Sequence, residues 1–199
     1  MNIIGICGGS ASGKTTIVNE LQKVLGAENA SCILLDNYYF DFVKKGINPS
    51  EINYDRPLSF DLERFISDLS LLKEGKTVDV LLYDFSSHSY PGNVQKLLPR
   101  SYLLVDGLFL FNIPSIYHFF DLKIFVDAPE RLRLERRIKR DMNFRGRTRD
   151  SIINQYNKFV KPMHEEFVAP NKDLADLVVD GGGNIPDQIK IIMKFINFK

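Results

Sequence analysis

The stretch "GGSASGKTT" at residues 8–16 constrains this chain more than any other part of its sequence. Gly8, Gly13, Lys14 and Thr15 fit the spacing G-x-x-x-x-G-K-[ST] completely. A glycine-rich loop of this kind wraps closely around an anion, because its successive backbone N–H groups point at phosphate oxygens. We therefore expect nine residues to bind nucleotide phosphates: Gly8, Gly9, Ser10, Ala11, Ser12, Gly13, Lys14, Thr15 and Thr16.

The segments on either side of this loop supply the context that the spacing requires. An apolar run at residues 3–6 predicts a short buried strand, and Val18, Leu21 and Leu25 predict a helix that ends near Gly26. A loop that joins a strand to a helix also directs the positive end of the helix dipole at the phosphates. The alternative is an ordinary turn of glycine and serine, which does not explain the combination of spacing and flanks.

Strand and helix patterns alternate along the rest of the chain. An amphipathic helix is predicted over residues 61–75, and a last helix from about Pro186. Extended segments are predicted at 31–36, 77–85, 101–107, 121–127 and 175–180. Such alternation implies a parallel sheet with helices on both faces, in which ligands gather at the carboxyl ends of the strands.

Composition and charge narrow the class of protein further. The chain has 199 residues, of which 44% are hydrophobic, enough for the core of a single domain over residues 1–199. Cys7 and Cys32 form no C-x-x-C pair and predict buried structural thiols in a reducing compartment. A formal net charge of +1, without a leader-like or membrane-spanning run, predicts a cytoplasmic protein with no general affinity for membranes or nucleic acids.

Two carboxylates end predicted strands. Asp106 ends "YLLVDG", where a second acid beside a phosphate loop supports Mg²⁺ together with the Thr15 hydroxyl; the alternative is an acid that marks a turn. Asp36 ends "SCILLD", where it is either a turn or cap residue or the base that orients an attacking hydroxyl. Both are expected at the edge of the sheet that carries the phosphate loop.

The segment at residues 131–149 carries nine Lys or Arg residues against two acids. Arg133, Arg136, Arg137 and Arg140 share one helical face by their spacing, whereas Leu134, Ile138 and Met142 share another. A solvated helix surface and a nucleic-acid contact are two interpretations. The third, which we favour, is a lid with a flexible tip at Gly146, whose arginines, Arg145 and Arg147 among them, close over a polyphosphate.

The segment "YDFSSHSY" places His88 among Tyr83, Phe85 and Tyr90. A histidine between aromatic residues is often structural, but a flat aromatic pocket with one polar edge also suits a nucleobase. The other two histidines, His118 and His164, show no spacing of metal ligands and are expected to be structural.

Taken together, these segments resemble the uridine kinase (uridine–cytidine kinase) family of P-loop kinases. The resemblance covers most of the chain and rests on segments in the family's order: "GGSASGKTT", "LLDNYYF", "NYDRP", "YDFSSHS", "RLRLERRIKRDMNFRGR" and "NQYNKFVKP". It implies an α/β, P-loop NTPase-like three-layer sandwich with a five-stranded parallel sheet and an arginine-rich lid. It also implies Mg²⁺, ATP as phosphoryl donor, a nucleoside as substrate, and often a homotetramer.

The resemblance also implies roles for individual residues. Asp36 would activate the nucleoside 5′-hydroxyl, while Lys14 and Arg145 would assist the transfer and Thr15 and Asp106 would hold the metal. Nucleoside-binding segments are implied at about residues 37–60 and 83–95, with the lid at about 131–149. Asp55 and Arg137 would hold the ribose, and Tyr83, Phe85, His88 and Arg147 would frame the pyrimidine. Gln155 would lie near the lid and bind the nucleoside.

The chain departs from the family pattern beside the implied base pocket. Arg56 stands where the family usually has histidine, Tyr54 where it usually has phenylalanine, and Tyr90 where it usually has arginine. Asp106 replaces the family's usual glutamate. Catalysis is thus better supported than base identity, and kinases for nicotinamide riboside, pantothenate or phosphoribulose, or a nucleotide-binding regulator without a nucleoside substrate, stay open as alternatives.

Overall fold

A sheet of parallel strands forms the centre of the molecule. The computed structural model describes residues 1–198, with the side chains of 50, 197 and 198 left aside, so Lys199 of the predicted domain lies outside the described residues. The strands of the described chain are β1 (Asn2–Gly8), β2 (Ala30–Leu34), β3 (Val78–Leu81), β4 (Val94–Leu97), β5 (Tyr102–Gly107), β6 (Leu122–Asp127) and β7 (Leu177–Asp180). The central sheet has the order β2-β5-β1-β6-β7 with all neighbours parallel, which confirms the five-stranded sheet expected from the resemblance.

Helices cover both faces of this sheet. They are α1 (Lys14–Leu25), α2 (Leu62–Lys73), α3 (Pro114–Tyr117), α4 (Glu130–Phe144), α5 (Arg149–Gln155), α6 (Lys161–Met163) and α7 (Ile185–Phe198). Around α6 the chain remains helical through wider π turns at Tyr156–Val160 and His164–Val168. None of the helices described is long and apolar enough to cross a membrane.

The two faces of the sheet bury separate hydrophobic clusters, because successive side chains of a strand point to opposite faces. In β1, Ile4 and Ile6 belong to the cluster shared with α1 and α7, whereas Ile3 and Cys7 belong to the cluster shared with α2. Burial raises the pKa of the Cys7 thiol to about 12, so this residue is an unreactive part of the core.

Three segments differ from the pattern read off the sequence. The second strand ends at Leu34 rather than at Asp36, because Leu35–Tyr38 turns into a short 3₁₀ helix that carries this carboxylate. The extended segment 77–85 is a strand only over Val78–Leu81, and it lies outside the central sheet. It pairs antiparallel with β4, a strand that the sequence pattern did not reveal, since three of its four residues, Val94, Gln95 and Lys96, are exposed.

Strand register brings the predicted functional residues to one edge of the sheet. Asp106 in β5 lies between Ile6 of β1 and Leu34 of β2. The phosphate loop begins two residues after Ile6, and the turn with Asp36 begins directly after Leu34. The three segments therefore meet at the carboxyl ends of neighbouring strands, where parallel sheets bind ligands.

Candidate functional site

A cleft of about 740 Å³ opens at this edge. It contains nearly all of the residues singled out from the sequence, although these come from segments far apart in the chain. Gly8, Gly9 and Ser12 do not line it. The predicted residues that do are Ser10, Ala11, Gly13, Lys14, Thr15, Thr16, Asp36, Asp55, Tyr83, Phe85, His88, Asp106, Arg137, Arg145, Arg147 and Gln155.

The phosphate loop is shaped by its glycines. Gly13 directly precedes α1 with a φ of 106°, which an L side chain rarely adopts. Gly9 faces away from the cleft, and a Cβ on it would lie 2.9 Å from an Arg133 nitrogen and 3.0 Å from the His164 ring. Lys14, buried beside the loop, donates a hydrogen bond from Nζ to the Gly9 carbonyl at 3.1 Å. The loop therefore has two sides. Lys14 lines the cleft, whereas Gly8, Gly9 and Ser12 lie on the side that does not.

Thr15 and Asp106 form a direct pair at the floor of the cleft. The Thr15 hydroxyl donates to Asp106 Oδ2 at 2.6 Å. Burial raises the pKa of Asp106, while Lys14 and the Thr15 hydroxyl act in the opposite direction. Within the described residues no group of three or more His, Cys, Asp or Glu could hold a metal ion by itself. One hydroxyl and one carboxylate do fit Mg²⁺ that arrives with phosphates, since this ion takes its other ligands from phosphate oxygens and water.

Two further carboxylates, those of Asp36 and Asp55, line the cleft. Asp36 projects from the 3₁₀ turn, and Asp55 from the segment before Pro57–Ser59. Burial raises the pKa of Asp55, the nearby Arg137 lowers it, and Asp36 raises it again. The two acids are therefore close enough to interact, and Arg137 is close enough to Asp55 to offset part of the effect of burial.

The arginine face of α4 points into the molecule. Arg137 donates to the Ser10 hydroxyl at 2.7 Å and to Gln155 Oε1 at 3.1 Å, and Arg147 donates to the same Gln155 oxygen. Arg136 donates to the carbonyl oxygens of Ser12 at 3.2 Å and Gly181 at 2.8 Å. The predicted helix with a guanidinium face is thus present. On the other face of α4, Ile138 is buried, whereas Met142 is 48% exposed.

Asp141 is the residue of this region that sequence reasoning missed. It is fully buried, and four guanidinium groups lie within 4.0 Å of its carboxylate: Arg137, Arg140, Arg145 and Arg147. Burial alone would raise the pKa of Asp141, but these arginines, Arg140 first, outweigh burial and hold it below its usual value. The sequence spacing could have indicated these ion pairs, because Asp141 stands four residues after Arg137 and four before Arg145.

Arg145 lies on the wall of the aromatic pocket. Its guanidinium carbon is 3.9 Å from the centre of the Phe85 ring. Burial, together with the charge of Arg140, lowers the pKa of Arg145 to about 10. The arginine predicted to act on the phosphates therefore contacts an aromatic residue predicted to frame the base.

His88 lies in the aromatic pocket and contacts two tyrosines there. The His88 ring stacks on the Tyr54 ring with centroids 5.0 Å apart, and its Nδ1 lies 3.5 Å from the Tyr83 hydroxyl. Burial lowers the pKa of His88, as do the charges of Arg145 and Arg147, so the ring is neutral near pH 7. Tyr54, which the sequence placed beside this pocket, lines the cleft, and so does Tyr39, which sequence reasoning had not singled out.

The other two histidines lie outside the cleft. His118 follows α3 and packs its ring edgewise against Tyr117. His164 packs against Gly9 behind the phosphate loop, and burial, followed by the charge of Arg133, lowers its pKa to about 4. Both places are compatible with the structural roles expected for them.

Comparison with known proteins agrees with this geometry. The model of the phosphoribulokinase / uridine kinase family matches residues 3–185. The chain belongs to this family. A uridine kinase of Staphylococcus aureus (strain JH9) is 40% identical over 183 residues, which cover 92% of this chain and 88% of that protein. This family membership confirms the resemblance seen in the sequence.

Solved structures share the family fold. A proposed fructose transport system kinase from Silicibacter sp. TM1040 superposes with a TM-score of 0.72 at 21% identity, over 89% of each chain. A structure described as a possible uridine kinase from Bacillus stearothermophilus gives 0.63 at 19% identity, over 90% of this chain and 88% of that one. At such identities the likeness concerns the fold alone, and it confirms the α/β architecture.

Proposed function

We propose that this family member is an ATP-dependent nucleoside kinase that converts uridine or cytidine to its 5′-monophosphate, in the cytoplasm and as a homo-oligomer, a tetramer by resemblance. One observation carries the proposal: a single cleft joins a phosphate loop at one end to an aromatic pocket at the other, with carboxylates between them. The 40% identity to a uridine kinase supports uridine as a substrate.

The donor phosphates bind at the phosphate loop. Residues 10, 11 and 13–16, the part of the loop that lines the cleft, offer backbone N–H groups and the N-terminus of α1, and Lys14 adds a positive charge. Thr15 and Asp106 would hold Mg²⁺, and this ion would supply positive charge against the phosphates of ATP. Lys14 is hydrogen-bonded to the Gly9 carbonyl, so its ammonium group is held beside the loop.

The acceptor lies between the carboxylates and the aromatic pocket. Asp55 and Arg137 hold the ribose hydroxyls, because both are buried polar groups that face the middle of the cleft. Tyr83, Phe85, His88 and Arg147 frame the pyrimidine. Asp36 then accepts the proton of the 5′-hydroxyl as this oxygen attacks the γ-phosphorus.

The arginine segment at 131–149 acts as a lid over the transferring phosphoryl group. Arg145 neutralises charge that develops in the transition state, and Gln155 fixes Arg137 and Arg147 by accepting a hydrogen bond from each. The burial of Arg133 and Arg137, 5% and 6% exposed, supports this role over a nucleic-acid contact, which needs arginines on the surface.

The test is a steady-state assay of ADP formation against uridine, cytidine, adenosine and nicotinamide riboside. We expect kcat/KM to be highest for uridine or cytidine and at least about 100-fold lower for adenosine, whose larger base leaves the buried pocket groups unpaired. Nicotinamide riboside as the best substrate would overturn the pyrimidine assignment and leave the kinase assignment intact. ADP formation that is independent of every nucleoside would favour the regulatory alternative.

A further inference from the structure

Tyr90 ties the base pocket to the turn that carries Asp36. Its hydroxyl donates to the carbonyl oxygen of Tyr39 at 2.5 Å and is 3.1 Å from that of Asn37. The Tyr90 ring also packs edgewise on the Tyr83 ring, with centroids 5.3 Å apart. One side chain thus contacts a wall of the base pocket and both backbone carbonyls that flank the end of the turn.

A second link runs in parallel with the first. The backbone N–H of Tyr83 donates to Asn37 Oδ1 at 3.1 Å, and the Asn37 side chain is buried. Asn37 directly follows Asp36. The base segment, defined as residues 83–90, therefore contacts the C-terminal end of the Asp36 turn, defined as Leu35–Tyr38, through its first and last residues.

Residues 59–61 also hydrogen-bond the backbone at the end of this turn. The Asp61 N–H donates to the Tyr38 carbonyl at 2.7 Å, and the Phe40 N–H donates to the Ser59 carbonyl at 3.0 Å. These bonds do not involve the base segment. Within the described residues, Tyr90 carries the only side-chain hydroxyl of the base segment that hydrogen-bonds the backbone of residues 37–39.

We propose that Tyr90 is a positioning residue that couples occupation of the base pocket to the orientation of Asp36. The inference rests on the proposed function. A base that packs against Tyr83 and Phe85 immobilises the base segment. The hydrogen bonds from Tyr90 and from the Tyr83 N–H then restrict the motion of the Asp36 turn. The correct base thereby raises the turnover of bound nucleoside as well as its affinity.

The test is Tyr90→Phe, which keeps the ring on Tyr83 and removes the hydroxyl. The carbonyls of Asn37 and Tyr39 lose their donor, so the Asp36 turn samples other orientations. We expect kcat with saturating uridine to fall about tenfold, because small misplacements of a catalytic group are costly. KM for ATP and ATP hydrolysis without nucleoside should stay within about twofold of wild type, since the phosphate loop is not touched.

Ser31→Ala is the matched control. It also removes a hydroxyl that donates to a backbone carbonyl, that of Leu98 at 2.6 Å, but it lies at the start of β2, away from the Asp36 turn. It should lower Tm as much as Tyr90→Phe does and leave kcat unchanged. Should Tyr90→Phe not fold, Asn37→Ala removes the parallel link and is read in the same way.

Two results would overturn the inference. One is a Tyr90→Phe kcat within twofold of wild type; the other is a kcat loss matched by Ser31→Ala or by an equal rise in KM for ATP. Failure of the proposed function looks different, because wild type would then phosphorylate no nucleoside at all. An active wild-type kinase with an unaffected Tyr90→Phe variant refutes the coupling alone.

Discussion

Replacing Asp141 by asparagine should weaken both the lid and the whole protein. The change keeps the size of the side chain and removes its charge. In the folded protein, Arg140 Nε lies 2.8 Å from Asp141 Oδ1, and Arg137 Nε lies 3.6 Å from Oδ2. Because Arg137 and Asp141 are both almost inaccessible to water, the variant leaves the buried Arg137 guanidinium without its ion-pair partner.

The expected magnitude follows from this burial. Removing one partner of a buried ion pair costs about 3–5 kcal/mol of the free energy of unfolding. For a chain of this size, 1 kcal/mol corresponds to about 2–4 °C in Tm. Asp141→Asn should therefore lower Tm by roughly 6–20 °C at pH 7, and kcat should fall as well because Arg145 and Arg147 lose the carboxylate that gathers them.

The pH dependence gives the prediction a second test. The folded pKa of Asp141 is lowered from its ordinary value of 3.8, so its stabilisation is fully present above that value and is lost as the pH falls through the folded pKa. The difference in unfolding free energy between wild type and variant should thus be constant from pH 7 to pH 5 and shrink only below about pH 3.8.

The assay is thermal unfolding followed by circular dichroism, with Asp150→Asn as control. Asp150 is an exposed acid in the neighbouring helix α5, so the same loss of charge there should change Tm by no more than about 2 °C. An Asp141→Asn variant that unfolds within 2 °C of wild type would refute the reasoning, because the arginine cluster would then be stable without its central charge.

Three further predictions concern the cleft. Lys14→Ala should lower turnover by about 10²–10³-fold in a folded protein, since a charge aimed at the phosphates is lost; unchanged turnover would contradict the phosphate-loop assignment. Asp36→Asn should lower kcat by about 10²–10⁴-fold at constant KM for ATP, because an amide cannot accept the hydroxyl proton; lost ATP binding would instead place Asp36 in the metal site. Because burial and two arginines lower the folded pKa of His88, kcat/KM for uridine should stay constant down to its ordinary pKa of 6.5 and decline only below it, as the ring takes up a proton; a decline that begins above pH 6.5 would contradict a lowered pKa at His88.

The phosphate loop was predictable because its chemistry is local. The spacing of Gly8, Gly13 and Lys14 encodes a loop that forms within a dozen residues, and the flanking strand and helix have clear periodicity. The central strands were equally visible, since strands buried on both faces read as continuous apolar runs. The α/β fold therefore followed from patterns shorter than 20 residues.

The contacts that position the site were hidden because they are not local. Tyr90 reaches Asn37 across 53 residues, and Tyr83 reaches it across 46. The sequence placed these segments near one substrate, but spacing cannot show which side chain touches which carbonyl. His164 behind Gly9 was hidden for the same reason, since its distance from the phosphate loop along the chain exceeds 150 residues.

Asp141 was missed for a different reason. Reading "RLRLERRIKRD" for its arginines gave the direction of the guanidinium face but treated the two acids as a small correction to the charge. Burial decides which of them matters: Asp141 is inaccessible, whereas Glu135 is exposed and pairs with Arg131 at the surface. Helical spacing places both acids near arginines, and only the packed structure shows that one acid is buried and the other exposed.

The central claim is that this cleft transfers a phosphoryl group from ATP to the 5′-hydroxyl of a pyrimidine nucleoside. The most direct measurement follows γ-labelled ATP in the presence of uridine and, separately, of 5′-deoxyuridine, with the products separated and identified by NMR. The account predicts label in uridine 5′-monophosphate in a one-to-one ratio with ADP, and no labelled nucleotide from 5′-deoxyuridine. Label recovered as inorganic phosphate at the same rate with either nucleoside would contradict it.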